Sequence, residues 1–164
     1  MVRMKKINIA SVVFITVLSI SCNNSKSTNA GTEKKENETS LKGNKAPADY
    51  FTGNVWVNPL AYDSLAYWAI AKVTFEPGAH SNWHTHPGKQ VLVITEGTGY
   101  LKENGKPIQL LRKGDVVIIQ PGVKHWHGAT PQNGFVQIAM NPDIKNGVVN
   151  WLERVTDEEY KSGK

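Results

Sequence analysis

All five histidines of the 164-residue chain lie between His80 and His127, and four of them form two His-x-His pairs. His84 and His86 make the first pair, and His125 and His127 make the second. Positions i and i+2 of an extended strand point to the same face, so each pair presents two imidazoles side by side. Neutral imidazole binds zinc, copper, iron and nickel and, together with oxygen ligands, manganese. The pairs therefore predict a metal site shared by two strands, in preference to unrelated polar positions at strand ends.

Short apolar runs separated by turn residues must position these histidines. Asn104 and Gly105 form an Asn-Gly pair, which is typical of a hairpin. Only Asp157–Lys161 is predicted to be helical, with Thr156 as its cap. His80 is expected in a loop. Many short strands favour a sandwich or barrel of antiparallel strands. The predicted strands are 65–75, 90–95, 99–102, 108–111, 116–120, 125–129, 135–140 and 149–154.

Two of the predicted strands are apolar on both faces. They contain the runs Val-Leu-Val-Ile at 91–94 and Val-Val-Ile-Ile at 116–119. A strand with apolar side chains on both faces is expected to be covered on both sides. Two such strands in a short domain predict a closed, double-layered sheet.

Two stretches of the chain resemble the two motifs of the cupin superfamily. The first motif joins a Gly, a His-x-His pair, an acid and a second Gly, and the second runs from a Gly through a Pro-Gly turn to a third His. The resemblance implies an all-β, single-domain cupin, a double-stranded β-helix or jelly-roll barrel with a metal at its centre, here followed by a short C-terminal helix. The matching residues are Gly78, His84, His86, Gln90 and Gly97, then Gly114, Pro121, Gly122 and His125.

The resemblance makes His84, His86 and His125 three metal ligands and position 90 the fourth. Most cupins have Glu at this position, whereas this chain has Gln90. An amide offers its carbonyl oxygen but no charge, so the ion keeps its full formal charge and is a stronger electrophile. Manganese or iron is the expected metal, with zinc, nickel and copper as alternatives. Loss of metal binding is the other interpretation of Gln90.

A narrower resemblance is to small bacterial manganese cupins that include hydroxynitrile lyases acting on (R)-mandelonitrile. It covers residues 47–53, 73–79, 83–87 and 124–129, and it closes around Trp151. The resemblance implies that His127 is an active-site histidine beside the metal. A further active-site histidine of those lyases falls on Gln137, whose neutral amide cannot accept a proton as imidazole can.

The resulting hypothesis is a divalent metal that acts as a Lewis acid on a hydroxyl, carbonyl or enolate oxygen of a small substrate. His127 would move the proton, with Gln137 at the second catalytic position. Ala71, Val73 and Ala139 are predicted to line a small apolar pocket. Three classes stay open: a metal-dependent lyase or isomerase similar to the hydroxynitrile lyases, a dioxygenase with a redox-active metal, and a non-catalytic module that binds a small ligand.

The first 46 residues do not resemble the domain that follows. A basic start, an apolar run from Ile7 to Ile20 and a cysteine at Cys22 are typical of a lipoprotein-type signal peptide, with an ordinary secretory signal as the alternative. We therefore predict a signal peptide at 1–21, a disordered tether at 22–46 and a cupin domain at 47–164. Cys22 is the predicted lipidation site. The expected location is the bacterial cell envelope, as a periplasm-facing lipoprotein anchored in the membrane, or outside the cell.

The net charge of +5 belongs to these leading segments, because residues 47–164 hold eleven basic and eleven acidic side chains. A neutral domain argues against nucleic acid as a partner. The single cysteine excludes an intramolecular disulfide. The expected partners are a small-molecule substrate and a membrane reached through the lipid anchor, and a homodimer stays open.

Overall fold

The computed structural model describes residues 42–162. The predicted signal peptide, Cys22 and the tether as far as residue 41 lie outside the described residues. Within 42–162, no helix has the length and apolarity needed to cross a membrane. The strands of this part are β1 (Asn44–Lys45), β2 (Phe51–Thr52), β3 (Val55–Asp63), β4 (Trp68–Phe75), β5 (His80–Ser81), β6 (His84–Thr85), β7 (Gln90–Glu103), β8 (Gln109–Arg112), β9 (Val116–Ile119), β10 (His125–Ala129), β11 (Phe135–Pro142) and β12 (Asn150–Trp151).

The strands form one curled antiparallel sheet in the shape of a half-barrel. One half of the curled sheet contains β1, β3, β4, β11, β7 and β9. The other half contains β7, β10, β5 and β2 together with β6, β8 and β12. A 3₁₀ turn at Ile144–Asn146 follows the last long strand, and α1 (Asp157–Lys161) ends the described chain. This architecture confirms the predicted all-β class with a short C-terminal helix.

β7 belongs to both halves of the sheet. Residues up to Gly97 pair with β11 and β9, and residues from Thr98 onward pair with β8 and β10. Gly97 has a φ of +73°, and a Cβ there would lie 1.9 Å from the carbonyl oxygen of Gly134. Glycine alone tolerates both conditions. The two strands predicted at 90–95 and 99–102 are therefore one strand that changes partners at a glycine.

The core lies between the two halves of the sheet and is rich in aromatic and branched side chains. Phe75 and Phe135 are buried with ring centroids 5.9 Å apart, and Leu92 and Ile94 pack in the same cluster. The prediction that 116–119 is covered on both faces is wrong, because Val116 and Ile118 are 59% and 56% exposed. β9 is paired with β7 at the edge of the sheet, and its inward residue Ile119 is buried, whereas nothing among the described residues covers its outward side chains.

Local side-chain chemistry explains where two elements begin. The strand predicted at 65–75 begins at Trp68 because Asp63 Oδ1 accepts hydrogen bonds from the backbone N–H groups of Leu65 and Ala66, both at 2.8 Å. The predicted helix is confirmed with its cap. Thr156 Oγ1 accepts from the Glu159 N–H at 3.2 Å, and Glu159 Oε2 accepts from the Thr156 N–H at 2.8 Å.

Candidate metal centre

Strand pairing places the two His-x-His motifs opposite each other. β6 and β10 are antiparallel, and His84 is directly paired with His125. The ring of His84 lies 4.2 Å from that of His125, 5.1 Å from that of His86 and 5.2 Å from that of His127, measured between centroids. All four side chains are buried. The predicted pairs therefore form one cluster inside the half-barrel.

Three of these imidazoles contribute a compact set of nitrogen atoms. One ring nitrogen from each of His84, His125 and His127 lies within 4.8 Å of the others, and such a group could hold a metal ion. This set contains His127, the residue predicted to transfer a proton, and it omits the predicted ligand His86. The ring of His86 is 5.4 Å from that of His125, so it borders the same space.

Backbone carbonyl groups orient three of the rings. Nδ1 of His84 lies 2.9 Å from the Asn82 oxygen, and Nδ1 of His125 lies 2.9 Å from the Val123 oxygen. Nδ1 of His86 lies 2.5 Å from the oxygen of Val148. A carbonyl oxygen only accepts, so each Nδ1 carries the ring proton and each Nε2 keeps a lone pair. Metal-binding histidines in proteins are usually held in this way.

Gln90 contributes the observation that best fits a bound cation. Its Oε1 lies 3.1 Å from Nε2 of His125, whose Nδ1 already faces the Val123 oxygen. His125 thus has an oxygen acceptor at each ring nitrogen, but a neutral imidazole has one proton. A cation between Nε2 and Oε1 resolves this conflict. Nε2 of His86 is also buried without a partner, as expected of a free ligand atom.

Burial keeps all four rings in the neutral form that binds metals. It is the largest cause that lowers the pKa of His125 from 6.5 to about 4. Burial likewise lowers the pKa of His86, and it lowers the pKa values of His84 and His127 well below 6.5, with the neighbouring histidines adding to the effect in the latter two. Neutral imidazoles at pH 7 need not lose a proton before a metal binds.

A mainly apolar cavity of about 160 Å³ adjoins the cluster. Ala71, Val73 and Ala139 line it, in the positions predicted for a substrate pocket. None of the described residues that line it is Lys, Arg, Asp or Glu. The other lining residues are Phe51, Val57, His84, His86, Gln90, His127, Gln137, Asn141, Val148, Val149 and Trp151.

Asn141 was not among the residues predicted from the sequence, although its spacing from Gln137 and Ala139 could have identified it. Positions 137, 139 and 141 alternate along β11 and therefore share a face. Asn141 Oδ1 and Gln137 Oε1 are both buried without a hydrogen-bond partner. The cavity thus contains two free amide oxygens in addition to the imidazoles.

The remaining histidine belongs to a different cluster. His80 was expected in a loop, but it is buried in β5, and its ring stacks on Tyr160 of α1 at a centroid distance of 4.4 Å. Tyr160 donates a hydrogen bond to the Ala129 oxygen at 2.8 Å. His80 therefore helps to fasten the C-terminal helix and does not face the candidate metal centre.

The fold and the site together define a β-barrel protein with a histidine-rich centre. The chain belongs to the cupin family. The family described as "Cupin domain" matches residues 71–134. The chain is 45% identical over 118 residues to an (R)-mandelonitrile lyase of Granulicella tundricola, a match that covers 71% of this chain and 90% of that protein.

Solved structures agree on the fold. A cupin-like protein of Thermotoga maritima is 46% identical, with a TM-score of 0.73, and the match covers 74% of this chain and 93% of that one. The polyketide cyclase RemF of Streptomyces resistomycificus is similar with a TM-score of 0.53 at 14% identity, over 65% of this chain and 76% of that one. The second likeness shows the fold alone.

Proposed function

We propose that the chain is a metal-dependent enzyme that acts as a lyase or isomerase on small hydroxy or carbonyl compounds. The observation that carries the proposal is the contact between Gln90 Oε1 and His125 Nε2, two lone-pair atoms 3.1 Å apart beside an apolar cavity. The 45% identical relative is named an (R)-mandelonitrile lyase, which supports a similar reaction here.

The proposed ligands are His84, His86, His125 and Gln90. The three histidines share the Nδ1-to-carbonyl contact that leaves Nε2 free, and His127 lacks it. Three nitrogens and one oxygen suit a divalent ion, for which we propose manganese or iron. When bound, the ion supplies a Lewis acid to the cavity.

The remaining groups of the cavity would hold a small substrate and exclude water. Ala71, Val73 and Ala139 form part of an apolar wall. An apolar wall strengthens polar interactions within the site because few water molecules compete there. His127 and Gln137 are the polar groups beside the ligands, and His127 is the residue that would present a proton to the substrate oxygen.

A second candidate is a cupin that binds a small ligand without turning it over. The specific observation is Gln137, which presents a neutral amide to the cavity beside His127. An amide has no basic site to accept a hydroxyl proton. The dioxygenase class stays a prediction that depends on the metal.

The decisive experiment measures metal content and turnover in the full-length chain. We expect about one manganese or iron ion per chain and cleavage of racemic mandelonitrile to benzaldehyde and hydrogen cyanide by the metal-loaded protein. His125→Ala is expected to lose both, whereas Lys72→Ala, on the same sheet but outside the cavity lining, is expected to keep both. Metal retained in His125→Ala would overturn the site. Metal binding without lyase, isomerase or oxygen-consuming activity would favour the binding module.

We also propose that Cys22 is lipidated, that residues 22–46 tether the domain at 47–164, and that the protein resides in the bacterial envelope with its domain facing the periplasm. The supporting pattern is the basic start and the apolar run before the cysteine. Mass spectrometry of membrane fractions should find acyl chains on the mature N-terminus. A Cys22→Ser variant is expected to leave the membrane fraction, and its retention there would contradict the proposal.

A further inference from the structure

We propose that Gln137 is a positioning residue that holds the ring proton of His127 on Nε2. The inference starts from a difference among the clustered histidines. Nδ1 of His84, His86 and His125 lies against a backbone carbonyl oxygen, an acceptor. Nδ1 of His127 lies 3.2 Å from the amide nitrogen of Gln137, a donor.

The chemistry of the two contacts is opposite. A carbonyl oxygen has lone pairs and needs the hydrogen of Nδ1, whereas an amide NH₂ has hydrogens and needs the lone pair of Nδ1. The single proton of a neutral imidazole therefore lies on Nδ1 in the first three rings and on Nε2 in His127. Nε2 of His127 is buried without a protein partner, so its N–H group is available to a ligand.

The fold places the Gln137 side chain beside His127. Gln137 is fully buried on β11, where its backbone pairs with Val73 of β4 on one side and with Ile94 of β7 on the other. The β7 pairing shifts register here, because Val136 pairs with Glu96 and Gln137 pairs with Ile94, which leaves Thr95 of β7 as the extra residue opposite Gln137.

The arrangement gives the cavity a defined hydrogen-bonding polarity. His127 offers a donor at Nε2, and Gln137 offers an acceptor at Oε1, which has no protein partner. A hydroxyl group can satisfy both atoms, because it accepts one hydrogen bond and donates another. This pair of donor and acceptor indicates that the substrates are neutral hydroxy compounds, an inference that rests on the proposed function. His127 is then a hydrogen-bond donor to the substrate oxygen. Burial of a donor or acceptor without its complement is costly, so analogues without the hydroxyl should bind poorly.

Nuclear magnetic resonance of the ring nitrogens tests the inference without any turnover. The full-length, metal-free chain is labelled with ¹⁵N-histidine, and the His127 signals are assigned by their loss in His127→Asn. We expect Nε2 to carry the proton with at least about a tenfold preference, which corresponds to about 1.4 kcal/mol, the size of one net hydrogen bond. A protonated Nδ1 in the wild-type chain would overturn the proposal.

Two variants separate positioning by Gln137 from an intrinsic preference of the ring. Gln137→Glu replaces the donor with a carboxylate that only accepts, so Nδ1 of His127 should become protonated. Asn141→Ala, which changes the same strand and the same cavity, should leave the proton on Nε2. An unprotonated Nδ1 in folded Gln137→Glu would refute control by Gln137.

A measurement on the wild-type chain covers the case in which Gln137→Glu fails to fold. A scalar coupling between a Gln137 side-chain amide proton and Nδ1 of His127 is expected across their hydrogen bond. Its absence in a folded, fully labelled chain would also refute the proposal. Because none of these measurements needs metal or substrate, failure of the proposed enzyme activity would not be mistaken for failure of the positioning role.

Discussion

Replacement of His86 and of His127 by alanine should affect metal binding very differently. Both side chains are 5% exposed, so the two substitutions remove the same group from equally buried positions. Nδ1 of His86 is held by the Val148 carbonyl and its Nε2 is free, which is the arrangement of a ligand. Nδ1 of His127 instead faces the amide nitrogen of Gln137. We therefore expect His86→Ala to lose a ligand and His127→Ala to lose a neighbour of the ligands.

The expected sizes follow from what the two residues contact. Loss of a group outside the ligand set typically weakens metal binding by about 10–100-fold, so loss of a ligand should cost at least about 100-fold. At a metal concentration about 100 times the wild-type Kd, bound metal stabilises the wild-type chain by about 2.7 kcal/mol. Under the same condition, the stabilisation falls to about 0.4 kcal/mol in His86→Ala. It stays near 1.4 kcal/mol in His127→Ala if that affinity falls by about tenfold.

The assay is thermal or urea unfolding of each full-length variant with and without Mn²⁺. The difference between the two conditions within one variant cancels the cost of the substitution itself. Isothermal titration of the metal-free proteins gives the affinities directly. The reasoning from ring orientation would be refuted if Mn²⁺ no longer stabilised His127→Ala but still stabilised His86→Ala. The ligands would then be His84, His125 and His127, the set defined by the shortest nitrogen separations.

Acid should destabilise the metal-free chain, because burial lowers the pKa of His125 from 6.5 to about 4 and the unfolded chain therefore binds the proton first. The free energy of unfolding in urea should fall by at least about 3 kcal/mol from pH 6.5 to pH 4, because the lowered pKa values of His84, His86 and His127 act in the same direction. A flat profile below pH 6.5 would contradict this. Gly128→Ala should destabilise the domain by about 3 kcal/mol in the same assay, because its Cβ would lie 2.5 Å from the Ala79 oxygen. Equal loss in Gly134→Ala, whose nearest neighbour is 3.3 Å away, would argue against that cause. Gln137→His should raise mandelonitrile cleavage by about 100-fold in a benzaldehyde absorbance assay by adding a base, and an unchanged rate would contradict the need for one.

Sequence could predict the histidine pairs because their spacing is local. A two-residue repeat on an extended strand places side chains on one face whatever the rest of the fold does, and both pairs lie in one cluster. The cupin motifs added the pairing of the two strands, which no local pattern contains. The capped helix at Asp157–Lys161 was equally accessible, since its capping box lies within four residues.

Properties that depend on distant partners were beyond sequence reasoning. The run at 116–119 is as apolar as the run at 91–94, yet Val116 and Ile118 are more than half exposed, whereas their pairing partners Val93 and Val91 are only partly exposed. The difference is that β9 is an edge strand, whereas residues 91–93 of β7 have a paired strand on each side. The full nine-residue extent of β3 was not predicted, because Pro59 and mixed polarity interrupt its pattern.

The two glutamines of the site illustrate why residue type alone does not assign a role. Gln90 directs its oxygen toward the lone pair of His125, and Gln137 directs its nitrogen toward the lone pair of His127. The first arrangement brings two lone pairs together, a conflict that a bound cation would resolve, and the second is a complete hydrogen bond without any ion. The same side chain thus fits the proposed ligand at position 90 and the proposed positioning group at position 137. Since neither amide carries charge and no carboxylate lines the described cavity, the positive charge of a bound ion would remain available to stabilise negative charge that develops on a substrate.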